Sequence, residues 1–333
     1  MQKDLVSILT PCYNTGAILY RLFDSILMQD YPSIEMFAIN DGSTDNTEEV
    51  IKSYIPKFDA KGYKLTYIYQ ENSGQSAAIN NGLKLVNGEF LIWPDSDDFF
   101  NSDSTISIFV SELKNRGNDF AIVRSLPTFV SEKNRNILSH KAISPEIALE
   151  NQFLNCLYSE NFIWPPVNYM IRTEAFDQVN PKREIYVEKN AGQNWQMLLP
   201  LLFSYKCITI NKNLCSVLVR ESSHSRGGYS TYEQVLKRIS SYRNTLIRTL
   251  DSISFMPDSE KLKYKKEITE KYKLQELELS VVYGYKKDEY RLISELKAEG
   301  VAIPYNKLRK IKMRNTKLGK VISFLIKSLR CKF

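Results

Sequence analysis

The sequence predicts an α/β fold on a mixed, mainly parallel sheet with flanking helices, followed by a C-terminal helical appendage. Three observations carry this. Apolar strand, polar turn and amphipathic helix succeed one another four times in about the first hundred residues, the order that gives parallel strands with right-handed crossovers. Each of these strands ends in polar residues, at the carboxyl edge where open α/β sheets bind ligands. From Tyr232 to Gly300 the pattern changes to long stretches of helical period.

Taken in order, Leu5-Val6-Ser7-Ile8-Leu9 is an apolar run with β-branched members, bounded by Thr10-Pro11, and reads as a buried parallel strand. The turn Pro11-Cys12-Tyr13-Asn14-Thr15-Gly16 follows, and Ile18, Leu19, Leu22, Phe23, Ile26 and Leu27 then recur at helical spacing. Ile34 to Ile39 is the second strand. It ends in Asn40-Asp41-Gly42-Ser43-Thr44-Asp45: an acid at the edge, a glycine for the turn, and capping residues for a helix from Thr47. Leu65 to Tyr69 is the third strand, leading into Gln70-Glu71-Asn72-Ser73-Gly74 and a helix through Gly82. Small residues there admit close approach, and the first turn offers free N–H groups to an anion.

Phe90 to Trp93 is the fourth strand, and it runs into Pro94-Asp95-Ser96-Asp97-Asp98. Asp side chains at i and i+2 in an extended turn can converge on one hard divalent ion, Mg²⁺ or Mn²⁺, which takes its remaining ligands from substrate phosphates. The alternative is an acidic surface turn, with Asp98 capping a following helix. A purely structural sheet has no need of acids at both Asp41 and Asp95, which favours the functional reading.

At 333 residues, with 43% hydrophobic and 25% charged residues, the chain suits one large globular domain plus an appendage. No run of about 18 apolar residues suggests a membrane span. The start goes into a strand without the pattern of a signal peptide, which points to a cytoplasmic protein. Five scattered cysteines (Cys12, Cys156, Cys207, Cys215, Cys331) with no CxxC suit reduced thiols rather than a disulfide frame or zinc site. The net charge of +7 is uneven. Ten Lys/Arg and no acid lie between Pro304 and Phe333, which leaves the first 303 residues at −3.

Four motifs, Pro11-x-Tyr13-Asn14, Asn40-Asp41-Gly42-Ser43-x-Asp45, Asn72-x-Gly74 through Ala78-x-Asn80-x-Gly82, and Asp95-Ser96-Asp97-Asp98, occur together over residues 1–115. In order and spacing the set resembles the family 2 glycosyltransferases of the GT-A (Rossmann-like) fold. The resemblance implies a domain over 1–230, with a nucleotide-sugar-binding half (1–115) and an acceptor half (116–230), and an appendage over 231–333. It implies that Pro11, Tyr13, Asn14 and Asp41 hold the base and ribose of a UDP-sugar, with Asp41 accepting the uracil N–H. Asn72, Gly74 and Asn80 would line the nucleotide pocket. Asp95 and Ser96 would sit near ribose and metal, and Asp97 would ligate Mn²⁺ or Mg²⁺.

Beyond Ser111 the resemblance thins. Asp119 to Arg124 reads as a further strand, residues 125–150 show no clear pattern, and Asn168 to Phe176 resembles the strand and helix start before the acceptor site. Gly192-Gln193-Asn194-Trp195 opens a helix where the family commonly has Gly-Glu-Asp, whose Asp is the general base. An amide cannot take that proton. Three readings follow: another carboxylate acts (Asp97, Asp98, Glu188 or Glu184), the amides only bind acceptor, or the protein is inactive. Met197, Leu198, Leu201 and Leu202 read as core. Gln193, Asn194, Trp195 and Trp164 are candidates for an acceptor-sugar shelf.

Cys207 to Arg220 alternates as a strand or hairpin. His140 reads as structural, whereas His224, in a loop where the family often carries a histidine, is a candidate metal ligand. Arg220 and Arg226 suit phosphate oxygens. Three apolar stripes then mark helices: Val235 to Leu250, Leu274 to Val282, and Leu292 to Leu296, broken at Pro257 and Gly300. From Lys307 to Phe333, Leu318, Val321, Ile322, Leu325, Ile326 and Leu329 recur at helical spacing between basic residues, which suits contact with an anionic membrane surface. The alternative is a helix packed on the domain. Nucleic acid is disfavoured, since the basic stretch has no recognisable binding fold.

The expected function is therefore metal-dependent, inverting transfer from a UDP-sugar to a hydroxyl of a glycan or glycoprotein acceptor, with dTDP and GDP donors left open. A sugar-nucleotide or glycan binder without turnover is the alternative. A nucleotidyltransferase lacks the Gly-rich, Arg/Lys-bearing loop after the first strand.

Overall fold

The structure, a computed structural model, describes residues 1–134, 136–188, 192–220 and 231–304. It divides into two compact units, 1–221 and 222–333.

In the first unit the elements run β1 (Gln2–Cys12), α1 (Tyr20–Leu27), β2 (Ile34–Asp41), α2 (Thr47–Lys61), β3 (Lys64–Gln70), α3 (Gln75–Leu83) and β4 (Gly88–Ile92). There follow β5 (Phe99–Phe100), α4 (Thr105–Lys114), β6 (Phe120–Ser131), β7 (Ile137–His140), α5 (Pro145–Ala148) and α6 (Phe153–Tyr158). The last are β8 (Tyr169–Arg172), α7 (Thr173–Val179), α8 (Asn194–Ser204) and β9 (Lys206–Val219). One nine-stranded sheet has the order β3-β2-β1-β4-β8-β6-β9-β5, with β7 paired to β6. Strands β3, β2, β1 and β4 are parallel, as are β6 and β9, whereas β8 pairs antiparallel with both β4 and β6. The sheet is thus mixed and mainly parallel, as expected.

Strand β1 is buried from Leu5 to Cys12, as a central parallel strand must be. Val6 and Ile8 pack with Leu22, Phe23 and Ile26 of α1, Ile51 and Phe58 of α2, and Phe109 of α4. On the other face α3 lies so close that a Cβ on Gly82 would stand 1.9 Å from Leu9 Cδ1. The residues after Pro127 extend β6, with Pro127 facing Cys215 at a register shift, where the sequence shows no pattern. Such an irregularity is where proline is tolerated in a sheet. Asp98 caps no helix: the chain continues into β5, and its Oδ1 accepts the Leu218 N–H at 3.2 Å.

The second unit contains α9 (Tyr232–Ser252), α10 (Asp258–Tyr283) and α11 (Lys286–Ala298). Thr231 caps α9 reciprocally with Gln234. Leu277 and Val281 of α10 meet Leu292 and Leu296 of α11 in a small core. Arg243 bonds Glu276 at 3.0 Å, and Tyr232 stacks on Tyr285 with ring centroids 3.8 Å apart. No helix among the described residues is long and apolar enough to cross a membrane.

Candidate functional site

The turns after β1, β2, β3 and β4 carry the site. Asn14 has φ +51, a left-handed geometry that asparagine tolerates better than most residues. Its Oδ1 accepts the Thr44 N–H at 2.8 Å, and its own N–H donates to Ser43 Oγ at 3.0 Å. Asp45 strengthens the join, with Oδ2 accepting from Gly16 N and Oδ1 from Thr47 N, both at 3.0 Å. The first two turns are therefore one rigid piece. Pro11 is buried in β1, and Tyr13 is exposed beside it.

Asp41 ends β2, almost fully buried, and the third turn folds around it. Oδ1 accepts from Gln70 Nε2 at 2.7 Å and Ser73 N at 2.8 Å, and Oδ2 from Gly74 N at 2.9 Å. Asn72 Nδ2 donates to the Asp41 carbonyl at 3.0 Å. This wrap needs Gly74 at φ +90 and Gly42 at φ +70, where a Cβ on Gly42 would stand 2.7 Å from Asn72 N. Three of about four carboxylate lone-pair sites are used, which leaves room for one further hydrogen-bond donor.

After β4, the carboxylates of Asp95, Asp97 and Asp98 offer ligand oxygens all within 4.8 Å of one another. Arg220, at the end of β9, pairs with Asp97 at 2.6 Å. Gln75 Nε2 at 2.6 Å and Gln193 Nε2 at 3.5 Å reach Asp95 Oδ1. Burial, and then the Asp97 charge, push the Asp95 carboxyl up to about 7, against hydrogen bonds from Gln193 and Gln75 and the pull of Arg220. Burial and both neighbouring charges raise Asp98 well above the carboxylate range. Three acids with one guanidinium among them suit a hard cation, and an all-oxygen donor set is the chemistry of Mg²⁺ and Mn²⁺. Ser96 is buried within the same turn.

Several expected site residues have other work. Asn80 exchanges two hydrogen bonds of 2.8 Å with the backbone of Ile185, so it pins the 184–188 segment to α3, and it lines a cavity with Gln70 and Ser73. Glu188 and Glu184 lie on that segment, outside the acidic cluster. Trp195 is core: its indole N–H donates to the Cys156 carbonyl at 3.2 Å and its ring is buried, so it offers no sugar shelf. Trp164 is the half-buried partner, edge-on to Trp195 at 5.2 Å. Asn194 donates to the Trp164 carbonyl at 2.9 Å, while its Oδ1 is buried without a hydrogen-bond partner. His140 bonds Thr128 Oγ1 at 3.0 Å, a structural role. His224, Arg226 and the tail from Lys307 lie outside the described residues.

Gln70, Ser73 and Gln75 carry no motif of their own; the signal for them in the sequence is that Ser73 and Gln75 flank a motif glycine and Gln70 ends the strand before it.

The family described as Glycosyl transferase family 2 matches residues 7–179, and the chain belongs to it. Glycosyltransferase GlyA of Streptococcus pneumoniae is 26% identical over 252 residues, 74% of this chain and 35% of that protein. An uncharacterized glycosyltransferase of Rickettsia typhi, RT0329, is 41% identical over 98 residues, 29% of each chain. The chain thus spans about a third of the length of these relatives. Among solved structures, S. aureus TarS 1-349 superposes with a TM-score of 0.60 at 16% identity, over 93% of this chain and 91% of that one. The mannosyltransferase PcManGT of Pyrobaculum calidifontis, in complex with GDP-Man and Mn²⁺, gives 0.56 at 14% identity, over 99% and 86%. The fold is therefore GT-A.

Proposed function

We propose that the chain is a metal-dependent glycosyltransferase that moves a sugar from a UDP-sugar to a hydroxyl of a glycan or glycoprotein, inverting the anomeric carbon. The observation that carries this is the acidic triad at the end of β4 on the same sheet edge as the Asp41 carboxylate at the end of β2, with β1 between them. Asp41, flanked by Pro11, Tyr13, Asn14, Asn72 and Gly74, reads a ring N–H that uracil possesses. A TarS structure in complex with UDP-GlcNAc supports a UDP donor, and PcManGT with GDP-Man and Mn²⁺ supports a divalent ion in this fold.

Asp95 and Asp97 would hold the ion, whose chemistry is to neutralise charge on the departing diphosphate. In the transfer, the acceptor oxygen forms a bond to the anomeric carbon as the bond to the β-phosphate oxygen breaks, and the acceptor proton passes to a carboxylate. Glu188 is one candidate and Asp98 the other, the latter only with a bound ion to draw its buried carboxyl into the ionised form, because Asn194 cannot accept a proton. Trp164 would give the acceptor sugar an apolar face, whereas Gln193, buried against Asp95, and Asn194, bonded to the Trp164 carbonyl, would have to turn to offer it their amides. Residues 1–115 would bind the donor and 116–230 the acceptor. The basic stretch 307–333 would bring the protein to the inner face of a membrane, near a surface polysaccharide or glycoprotein in assembly.

UDP release from a panel of UDP-sugars, with Mn²⁺ or with chelator, tests the proposal. One donor is expected to be turned over with metal, and Asp97→Ala to lose activity by a factor on the order of 10²–10³, the several kcal/mol that a metal contributes. A second reading, a binder without turnover, is favoured by the amide at 194. UDP bound with metal, but no donor consumed with glycan acceptors present, would establish it instead.

A further inference from the structure

Arg220 stands at an unusual point. Leu218, two residues before it on β9, donates its N–H to Asp98, so the strand end is fastened to the acidic turn. The Arg220 Nη2 then meets Asp97 Oδ2 at 2.6 Å, with the arginine side chain 20% exposed and the aspartate 16%. The pairing is unfinished, because the buried Nε of Arg220 has no hydrogen-bond partner. A guanidinium placed for recognition of an anion spends its fork on two parallel bonds. Here part of the fork is idle, and three carboxylates lie within 4.8 Å of one another around one guanidinium.

We propose that Arg220 is a displaceable counter-cation: it occupies Asp97 while the site lacks a divalent ion, then yields that carboxylate to the ion and turns to the donor's diphosphate. This rests on the donor-site reading above. A divalent ion on Asp97 competes for its lone pairs and repels the guanidinium, whereas a diphosphate offers paired oxygens that match the whole fork. Arginine and metal therefore compete, while arginine and nucleotide cooperate. The residue couples the order of binding, metal before donor.

Free Mn²⁺ measured by electron paramagnetic resonance, with the full chain at fixed pH, tests this. Arg220→Gln is expected to bind Mn²⁺ alone about tenfold more tightly, as loss of a nearby positive charge predicts. It is expected to bind UDP about tenfold more weakly at saturating Mn²⁺. Arg220→Lys, which keeps the charge, should stay near the wild-type Mn²⁺ affinity. A measurement on the wild type needs no variant to fold: phenylglyoxal modification of Arg220, mapped by mass spectrometry, should accelerate with Mn²⁺ and be suppressed again by UDP. If Arg220→Gln leaves Mn²⁺ affinity unchanged while the wild type binds both Mn²⁺ and UDP, the displacement is wrong and the donor site stands. Arg220 reactivity indifferent to Mn²⁺ has the same consequence. A wild type that binds neither Mn²⁺ nor UDP overturns both readings.

Discussion

Asp95 shows how one residue links folding to ligand. Its carboxyl is pushed up to about 7 by burial first and by Asp97 second, against a reference near 3.9. Because the folded value is raised, folding favours the protonated form. The group's contribution to stability is therefore fully present below about pH 4 and is lost as pH rises toward about 7. A divalent ion reverses this, since it needs the ionised form and relieves the repulsion. Mn²⁺ should then raise the melting temperature more at pH 8 than at pH 5.5, in scanning fluorimetry on the wild type. An equal gain at both pH values would remove Asp95 from the ion's shell. At Asp41 the chemistry was legible in the sequence but its surroundings were not. An acid after a strand and before a glycine is a local pattern, whereas the donors from Gln70, Ser73 and Gly74 come from 29 to 33 residues away. The Arg220–Asp97 pair spans a still longer separation, and no spacing rule reaches it.

Among the elements, those with a strong period were readable and those shaped by contacts were not. Strands β1 to β4 and their helices appear where apolar runs and turn residues put them, and for β1, β2 and β4 burial on both faces demands continuous apolar sequence. Strand β5 is only two residues long, and β7 is exposed along its length, so neither leaves an apolar signature. The hydrogen bonds of Asn80 decide the placement of the 184–188 segment, yet an asparagine in a motif reads equally well as a ligand contact. Asn80→Ala should cost about 2 kcal/mol, two buried hydrogen bonds at about 1 kcal/mol each, measured by urea unfolding. Amide exchange at Ile185 should accelerate with it. A variant as stable as the wild type, with Ile185 still protected, would show that these two bonds do not hold the segment. Gly82→Val tests the tight seam between α3 and β1. The added atoms meet Leu9 at 1.9 Å, and overpacking of this kind typically costs 1–3 kcal/mol, to be read from the same unfolding experiment.

For the whole molecule, charge is the property that sequence states most directly and that local structure alters least. Ten basic residues and no acid lie in the last 30, against −3 in the remainder, so on the proposed contact with an anionic membrane surface the charge attraction would come from the tail. Each Lys or Arg near such a surface contributes about 1 kcal/mol, and the attraction fades beyond a Debye length of about 8 Å at physiological salt. On the proposed membrane contact, the apolar residues at helical spacing, Leu318 to Leu329, would add burial that salt does not screen. Vesicles with phosphatidylserine should therefore retain the full chain in flotation at 0.1 M salt, and vesicles of phosphatidylcholine should not. Raising salt to 0.5 M should weaken retention without abolishing it, because the apolar part survives screening. Deletion of residues 307–333 should remove retention while leaving UDP binding with Mn²⁺ intact, since Asp41, Asp95 and Asp97, proposed above to hold donor and ion, lie in the first unit. Retention of the deleted chain would move the membrane contact to the helical unit. Complete release by salt would show charge acting without insertion.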